Sequence, residues 1–437
     1  MHPLQQMIAA RENGSPLGIC SVCSANEFVL AAGMDRAKKW GVPLLVEATA
    51  NQVNQFGGYT GMHPEDFVRF VRALAEKEGF PQERLILGGD HLGPLTWKDE
   101  PAESAMEKAR ELVRQYVLAG YQKIHLDTSM RLGDDDPDAP LCETLCAERG
   151  AALAAACERA YDELLQRDKN APCPVYVIGS EVPVPGGVKG EDEGLRVTSP
   201  EAFERTLRLF CEEFGKAGAA RAAKQIIAVV VQPGVEFGSQ DIHAYRPAEA
   251  RELCARLAAH PGVVFEGHST DYQTPESLQE MVRDGIAILK VGPALTFALR
   301  EGLFALSQIE RELMDTGRAD FPAALEQAML ECPKNWQGYY GGTPSEQAFL
   351  RKYSLSDRCR YYLGEEKVAA ATGKLLQNLR EREIPLPLFS QYLPRQYTAV
   401  RAGTLPNEPR ALLIDAVGRV LDEYYGACGT WTRCPYV

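Results

Sequence analysis

Short apolar runs alternate with longer amphipathic segments along the first three hundred residues of the chain. The short runs are rich in β-branched residues, which favour strands, and we predict a strand for each. They are Leu17–Val22, Pro43–Ala48, Leu85–Gly89, Lys123–Asp127, Val175–Gly179, Gln225–Val231, Val263–Gly267 and Ala287–Val291. The intervening segments have helical spacing, and several begin with Pro, which suits a first helical turn. They are Glu27–Trp40, Pro64–Glu78, Ala102–Ala119, Cys142–Arg167, Pro200–Ala217, Pro247–Ala259 and Pro275–Asp284.

Strands that alternate with helices predict a parallel sheet, which is either closed into a barrel or left open. An open, nucleotide-binding sheet is expected to carry a glycine-rich turn after its first strand. The first strand here runs instead into Cys20-Ser-Val-Cys-Ser-Ala-Asn26. We therefore expect an α/β fold of the (β/α)8 TIM-barrel type.

Beyond residue 300 the β-rich runs stop and helical patterns continue, broken by turns that contain Pro and Gly. The helices predicted there are Leu303–Met314, Ala323–Leu330, Ser345–Leu350, Glu365–Glu381 and Arg410–Tyr425. No flexible linker separates them from the preceding residues. We expect a barrel over residues 1–300 and a helical extension, packed on it, over residues 301–437.

The 437 residues are 45% hydrophobic and 24% charged, an ordinary balance for a folded globular protein. A net charge of -13 argues against a nucleic-acid partner, because phosphate-backbone binding needs a surplus of Lys and Arg. A sugar phosphate stays compatible, since a few local donors can outweigh the global field. No run approaches the roughly 20 apolar residues of a membrane span, and no signal-peptide pattern begins the chain. We expect a cytoplasmic protein without a membrane partner.

Polar or ionisable side chains follow nearly every predicted strand. The carboxyl ends of the strands form the active site in a TIM barrel. An unpaired buried polar group costs about 1–3 kcal/mol, so a purely structural barrel is not expected to collect so many of them. These ends are therefore the place to look for chemistry.

Two of the seven histidines fall at these ends, His91 after the third strand and His268 after the seventh. Glu181 follows the fifth strand. Two imidazoles and a carboxylate on one rim suit a divalent metal, with zinc as first choice and manganese, cobalt or nickel as alternatives. His125 shares a strand face with Asp127, and we expect it to have a supporting or packing role.

Two turns are candidates for binding phosphate through backbone N–H groups. Gly267–Thr270 and Gly292–Thr296 follow the seventh and eighth strands, where barrels frequently hold phosphate. The loop Pro183–Gly190 follows Glu181 directly. Its composition fits either a lid that closes over substrate or a plain surface turn.

Several long strings resemble the tagatose-1,6-bisphosphate aldolase accessory-subunit family (GatZ/KbaZ). They are Val46–Gly61, Gly88-Gly-Asp-His-Leu-Gly-Pro94, Glu181–Gly187, Val231–Phe237, His268-Ser-Thr-Asp-Tyr-Gln-Thr274, Leu289–Arg300 and Tyr353–Tyr362, so the match covers nearly the whole chain. The resemblance implies a distant relation to the class II ketose-bisphosphate aldolases, whose barrel binds zinc through three histidines.

The resemblance also implies roles for individual residues. Asp90 and His91 are similar to the aldolase Asp-His pair, which implies a proton donor and a metal ligand. His268 is similar to the ligand after the seventh strand, and Glu181 to a carboxylate near the metal. Gln232 stands where the aldolases carry a third histidine. A neutral amide is a weaker ligand, so we keep Gln232 in the expected ligand set but expect weaker metal binding and aldol activity.

Two functions belong to this family. One is a non-catalytic subunit that supports a separate aldolase chain, and the other is a 4-epimerase that interconverts D-tagatose 6-phosphate and D-fructose 6-phosphate. We favour the epimerase, because an accessory subunit has no need of Asp90, His91, Glu181, His268 and Asp271 on one rim. The sequence leaves the oligomeric state open.

Inversion at C4 of a 2-ketose proceeds by cleavage and re-formation of the C3–C4 bond or by transient oxidation at C4. Oxidation would need a nicotinamide, and the sequence has no dinucleotide fingerprint. We expect the cleavage route, with Asp90 and either Asp271 or Glu47 as proton carriers. Arg358 and Lys290 are the candidates for the phosphate, and an ion pair with a nearby acid is the alternative for Arg358. The other expected substrate contacts are Asn51, Gln55, Asp127, Ser269 and Gly292.

Overall fold

The computed structural model describes residues 1–180, 195–429 and 431. Its strands are β1 Ile19–Cys23, β2 Leu44–Thr49, β3 Leu85–Leu92, β4 Lys123–Leu126, β5 Val175–Ile178, β6 Ile226–Val231, β7 Glu236–Phe237, β8 Ile242–His243, β9 Val264–Gly267 and β10 Ile286–Val291. Eight of them pair in parallel and close in the order β1-β10-β9-β6-β5-β4-β3-β2, while β7 and β8 form a separate antiparallel hairpin. The predicted TIM barrel is confirmed, as is each of its predicted strands.

Helices connect the barrel strands and continue beyond them. They are α1 Pro3–Glu12, α2 Glu27–Trp40, α3 Pro64–Lys77, α4 Ala102–Leu118, α5 Glu143–Arg167, α6 Pro200–Lys216, α7 Ala220–Lys224, α8 Pro247–Arg256, α9 Pro275–Arg283, α10 Pro293–Leu313, α11 Phe321–Glu331, α12 Pro344–Tyr353, α13 Glu366–Arg380, α14 Leu386–Tyr392, α15 Pro394–Arg401 and α16 Pro409–Cys428. Among the described residues, no helix is both long and apolar enough to cross a membrane.

The local chemistry explains these elements. β6 has the sequence Ile-Ile-Ala-Val-Val-Val and is buried throughout, as expected of a barrel strand covered on both faces. α6 and α9 each begin with Pro in the first turn after a capping hydroxyl. Ser199 and Thr274 provide those hydroxyls and accept a backbone N–H three residues on.

The C-terminal helices pack directly on the barrel. α16 lies against α2, α9 and α10. The buried guanidinium of Arg36 on α2 reaches Asp415 on α16 at 2.6 Å, and Tyr424 donates to the carbonyl of Thr270 at 2.7 Å. α10 runs without a break through the expected boundary between residues 300 and 301. The first helix of the extension is therefore also the last helix of the barrel.

Two short helices, α14 and α15, were not predicted. Both begin next to a proline, and neither carries a long apolar stripe: Phe389 and Gln396 are their only fully buried residues. Their apolar periodicity is too short to stand out from that of a loop.

Candidate active site

A pocket opens at the carboxyl ends of the barrel strands, as expected for this fold. The segment after α12 and the hairpin β7–β8 complete its wall through Arg360, Tyr361 and Phe237. Most of the predicted site residues lie on this wall, namely Asn51, Asp90, His91, His268, Ser269, Asp271, Lys290 and Gly292.

β3 brings two consecutive side chains into the pocket. Regular alternation would turn Asp90 and His91 to opposite faces of the sheet. The register between β3 and β4 shifts between Gly89 and Leu92, and His91 has φ 46°, so a bulge breaks the alternation. Gly93 allows β3 to approach β4 there, since a Cβ at this position would lie 1.7 Å from the carbonyl oxygen of Asp127.

Three imidazoles form a triangle at the base of the pocket. The ring centroids of His91 and His268 are 4.9 Å apart, and that of His125 is 5.2 Å and 5.3 Å from them. One nitrogen of each ring lies against a carboxylate, in the pairs His91 Nδ1–Asp127 at 2.7 Å, His125 Nδ1–Asp90 at 2.8 Å and His268 Nε2–Glu266 at 3.0 Å. Histidines that bind metals are commonly oriented in this way by a carboxylate on their other nitrogen.

Buried lysines balance the carboxylates. Lys123 Nζ lies 2.7 Å from Glu47 and 2.7 Å from Glu266 in the barrel interior. Lys290 Nζ contacts Asp90 and lies 3.5 Å from Glu47 and 3.7 Å from Glu266. The two ammonium groups and three carboxylates compensate one another, which is a condition for burying so much charge.

The lysines also set the protonation of the carboxylates. Burial alone would raise the pKa of Asp90, but the positive charges of His91 and Lys290 outweigh it and hold that pKa well below its usual range. Burial is likewise outweighed at Glu266, where Lys123 and Lys290 hold the pKa well below the usual range. Both side chains are therefore carboxylates at neutral pH.

The imidazoles differ in their affinity for protons. Burial lowers the pKa of His268 to about 3, so its ring is neutral and can offer a lone pair. Burial acts in the same direction on His91, but Asp90 and Asp127 outweigh it and raise its pKa. A metal ion at His91 would have to displace that proton.

The donor set fits a divalent metal. One ligand atom from each of Asp90, His125, Glu266 and His268 lies within 4.8 Å of the others, and all four residues are buried. His125 Nε2 is buried and has no hydrogen-bond partner among the described residues. Three imidazoles that bind one zinc at about 2.0–2.1 Å in tetrahedral directions have ring centres about 5 Å apart, close to the spacing seen here. Lys290 already contacts Asp90, so the imidazole nitrogens are the freer donors.

One member of the sequence-predicted ligand set, Gln232, lies elsewhere. The side-chain oxygen of Gln232 accepts the backbone N–H groups of Gly234 and Val235 at 2.9 Å and 3.0 Å, which holds the turn after β6. Gln232 is not on the pocket wall formed by the described residues. Glu181, like the loop Pro183–Gly190, lies outside the described residues.

Four other predicted residues are also away from the described pocket wall. Glu47 lies below the pocket with both oxygens engaged by Lys123, and Asp127 supports His91. Gln55 donates to the carbonyl of Lys108 at 2.9 Å. The guanidinium carbon of Arg358 lies 3.3 Å from the ring centroid of Tyr339, whereas Arg360, two residues later, lines the pocket.

Asp271 occupies the beginning of α10. Its Oδ1 accepts the N–H groups of Gly292 at 3.0 Å and Ala294 at 2.8 Å. Burial raises the pKa of Asp271 to about 6, against these hydrogen bonds, which favour the carboxylate. The expected phosphate-binding turn after β10 therefore already has an acidic cap.

The sequence reasoning missed Lys123, Glu266 and Arg360, and gave His125 only a supporting role. A signal existed for most of these residues. Lys123, His125 and Asp127 follow a period of two, as do Glu266 and His268, so each series faces the barrel interior. Ionisable residues at successive inward positions indicate a connected network rather than isolated rim residues.

Known proteins resemble this chain over nearly its whole length. Residues 4–429 match the family described as D-tagatose-1,6-bisphosphate aldolase subunit GatZ/KbaZ-like. A crystal structure of a probable tagatose 6 phosphate kinase from Sinorhizobium meliloti 1021 superposes with a TM-score of 0.86 at 46% identity, covering 94% of this chain and 100% of that chain. The fructuronate-tagaturonate epimerase UxaE from Cohnella laeviribosi has a TM-score of 0.46 at 13% identity, over 94% of this chain and 82% of that chain, a similarity too low to support an inference about function. With nearly its whole length matched, the chain belongs to the GatZ/KbaZ-like family of D-tagatose-1,6-bisphosphate aldolase subunits.

Proposed function

We propose that this chain is a metal-dependent 4-epimerase that interconverts D-tagatose 6-phosphate and D-fructose 6-phosphate. The observation that carries the proposal is the convergence of Asp90, His125, Glu266 and His268, of which Asp90 and His268 line the pocket. A subunit that only stabilised another chain would gain nothing from this arrangement, because burying so many charged groups is costly.

His125 and His268 would hold the metal, with Asp90 and Glu266 beside them and His91 on the third side of the triangle. Zinc suits this mixture of nitrogen and oxygen donors, as do manganese, cobalt and nickel. When bound, such an ion supplies Lewis-acid polarisation of the substrate's C2 carbonyl and C3 hydroxyl oxygens. Glu181 and Gln232 remain candidates from the family resemblance alone.

Asp90 is placed to take the proton from the C4 hydroxyl, because it lines the pocket and is a carboxylate at neutral pH. As the proton leaves, the C4 oxygen forms a carbonyl and the C3–C4 bond breaks. Its electron pair passes to the dihydroxyacetone half as an enediolate, and glyceraldehyde 3-phosphate forms. After the aldehyde turns its other face, the bond re-forms and the proton returns to the C4 oxygen.

Asp271 is the second proton carrier in this scheme. It lies on the same pocket wall, and its pKa of about 6 allows it both to bind and to release a proton near neutral pH. Glu47 was the alternative proton carrier predicted from the sequence. It accepts hydrogen bonds from Lys123 and Ser21, and it is not on the pocket wall that the described residues form. We therefore assign the role to Asp271.

Lys290 contributes a fixed positive charge. Burial would favour the neutral amine, but Asp90, Glu47 and Glu266 outweigh it and raise the pKa of Lys290 well above its usual value. A protonated amine cannot attack a carbonyl, so Lys290 is unsuited to Schiff-base chemistry. Its ammonium can instead stabilise negative charge that develops on the substrate oxygens.

The family description supports a second function. A subunit of a tagatose-bisphosphate aldolase could bind a catalytic aldolase chain and have no turnover of its own. The name of the Sinorhizobium relative suggests a third activity, phosphoryl transfer to tagatose 6-phosphate. All three readings involve a tagatose phosphate, so the reaction product distinguishes them.

The test incubates the purified chain with fructose 6-phosphate and, separately, with tagatose 6-phosphate, and follows the sugar phosphates by carbon-13 NMR. Formation of tagatose 6-phosphate by the chain alone supports the epimerase. Formation of a bisphosphate that depends on added ATP supports the kinase. Absence of turnover, combined with stimulation of a co-purified aldolase, supports the accessory subunit. Traces of glyceraldehyde 3-phosphate and dihydroxyacetone, detected with coupling enzymes, would indicate the cleavage route.

A further inference from the structure

The geometry points to Arg360 as the residue that binds the terminal phosphate of the substrate, on the pocket wall that Tyr59 and Tyr361 also line. This inference rests on the proposed function, since it concerns the same pocket and a ketohexose 6-phosphate. It differs from the expectation drawn from sequence, which assigned the phosphate to Arg358, Lys290 and the glycine turns after the last two barrel strands.

Arg360 brings to the pocket wall a positive charge that forms no direct ion pair with a carboxylate of the described residues. Its guanidinium donates to the carbonyl oxygen of Asp357 and to the hydroxyl of Tyr361, both at 3.0 Å, and both acceptors are neutral. No carboxylate of the described residues lies within 4.0 Å of its nitrogens. A guanidinium held in place by neutral acceptors keeps its charge and its remaining N–H groups for an anion.

The other cations suggested by the sequence are not comparable. Lys290 reaches the pocket, but its charge is shared among Asp90, Glu47 and Glu266. Arg358 stacks on Tyr339 and is not on the described part of the pocket wall. Arg360 is thus the pocket cation that a dianionic phosphate would meet without displacing an existing partner.

The beginning of α10 is unsuited to phosphate. Its Gly292 and Ala294 N–H groups, which would bind an anion, are already taken by the carboxylate of Asp271. A phosphate placed there would meet a like charge and lose the backbone donors. The phosphate site therefore shifts from the barrel rim to the segment after α12.

Two tyrosines share the pocket wall with the guanidinium. Tyr59 and Tyr361 meet edge to face with centroids 4.9 Å apart, and the guanidinium carbon of Arg360 lies 4.8 Å from the centroid of Tyr361. Both tyrosines line the pocket, so their hydroxyl groups are placed on the same wall as the charge. Tyrosine hydroxyls beside an arginine fork are suitable donors to phosphate oxygens.

Isothermal titration with fructose 6-phosphate, fructose and inorganic phosphate tests the assignment on the full chain. Arg360→Gln should weaken binding of fructose 6-phosphate by about 10- to 100-fold, the loss expected of a charge-assisted bidentate contact. It should leave the binding of fructose unchanged. Arg360→Lys keeps the positive charge but not the forked guanidinium. Its affinity for fructose 6-phosphate should lie between those of the wild type and Arg360→Gln. Arg382→Gln removes an exposed arginine elsewhere and should bind like the wild type.

Circular dichroism checks that the variants are folded. If Arg360→Gln does not fold, the affinity of Arg360→Lys is used for the test instead. Fructose 6-phosphate affinity within twofold of wild type in the folded variant would overturn the assignment. Equal weakening for fructose and fructose 6-phosphate would also overturn it, because the loss would then not concern the phosphate. Binding does not require turnover, so a phosphate site at Arg360 can be established even if the chain proves not to be an epimerase.

Discussion

The ammonium of Lys123 lies 2.7 Å from one carboxylate oxygen of Glu47 and 2.8 Å from the other, in the interior of the barrel where neither side chain meets solvent. Glu266 Oε2 forms an ion pair with the same ammonium, at 2.7 Å. Lys123→Met should destabilise the fold by about 3–5 kcal/mol, because it leaves buried carboxylates without their cation. Urea unfolding at neutral pH measures this loss.

Lys39→Met serves as the matched control, since Lys39 pairs with Asp35 on the surface of α2 and largely meets solvent. It should change stability little. Adding Glu47→Gln to Lys123→Met should recover part of the loss by removing one orphaned charge. A Lys123→Met variant as stable as Lys39→Met would show that the buried network is not needed for stability.

The triangle of His91, His125 and His268 leads us to predict the metal content of the protein. The wild type should carry about one equivalent of divalent metal after growth with added metals, and His125→Ala or His268→Ala should weaken binding by at least about 10- to 100-fold. Elemental analysis and metal titration give both values. His63→Asn, at the exposed start of α3, is the control and should bind metal normally.

His91→Ala separates two ligand assignments. If His91→Ala loses metal while His125→Ala keeps it, the set inferred from the sequence is right and the set inferred from the structure is wrong.

Asp90→Asn tests the proton carrier. It keeps the size and most hydrogen bonds of the side chain but removes the base, so kcat should fall by about 10²- to 10⁴-fold. Metal content should stay near normal, because the imidazole nitrogens are the freer donors. If Asp90→Asn turns over substrate at the wild-type rate, a group other than Asp90 transfers the proton.

The pH profile tests Asp271. Its pKa of about 6 means that the carboxylate takes up a proton as the pH falls through 6, so a step that needs the ionised form should slow by about tenfold for each further pH unit. Asp271→Asn should lower kcat and flatten this limb between pH 5 and 7.5. Asparagine still caps a helix, so α10 should be preserved. If Asp271→Asn slows below pH 6 as the wild type does, a different residue is responsible for the loss of activity at acidic pH.

The barrel was predictable because each strand is a short apolar run bounded by turns, and the helices between them carry start signals such as Pro200 and Pro275. The ends of strands were less certain. β3 continues to Leu92 because a bulge accommodates Asp90 and His91, and a bulge leaves no mark in the hydrophobic pattern. In α14 and α15 the apolar periodicity is too short to be recognised, so the hydrophobic pattern did not predict these helices.

The site was predictable only in part. Strand ends predicted that Asp90, His91, His268 and Lys290 lie on one rim, and all four line one pocket. The contribution of His125 depends on a neighbouring strand, through its contact with Asp90, and a single sequence does not show such pairs. Arg360 follows a short irregular segment without periodicity. The choice between it and Arg358 therefore required the fold.

The most direct test of the account measures conversion of fructose 6-phosphate to tagatose 6-phosphate by the purified chain alone, before chelation, after chelation and after metal is restored. We expect conversion by the metal-loaded chain, loss of conversion when the metal is removed, and recovery when zinc, manganese, cobalt or nickel is added back. The same sequence of steps with His268→Ala should show no recovery at matched metal concentration. Failure of the metal-loaded wild type to form any tagatose 6-phosphate would contradict the account.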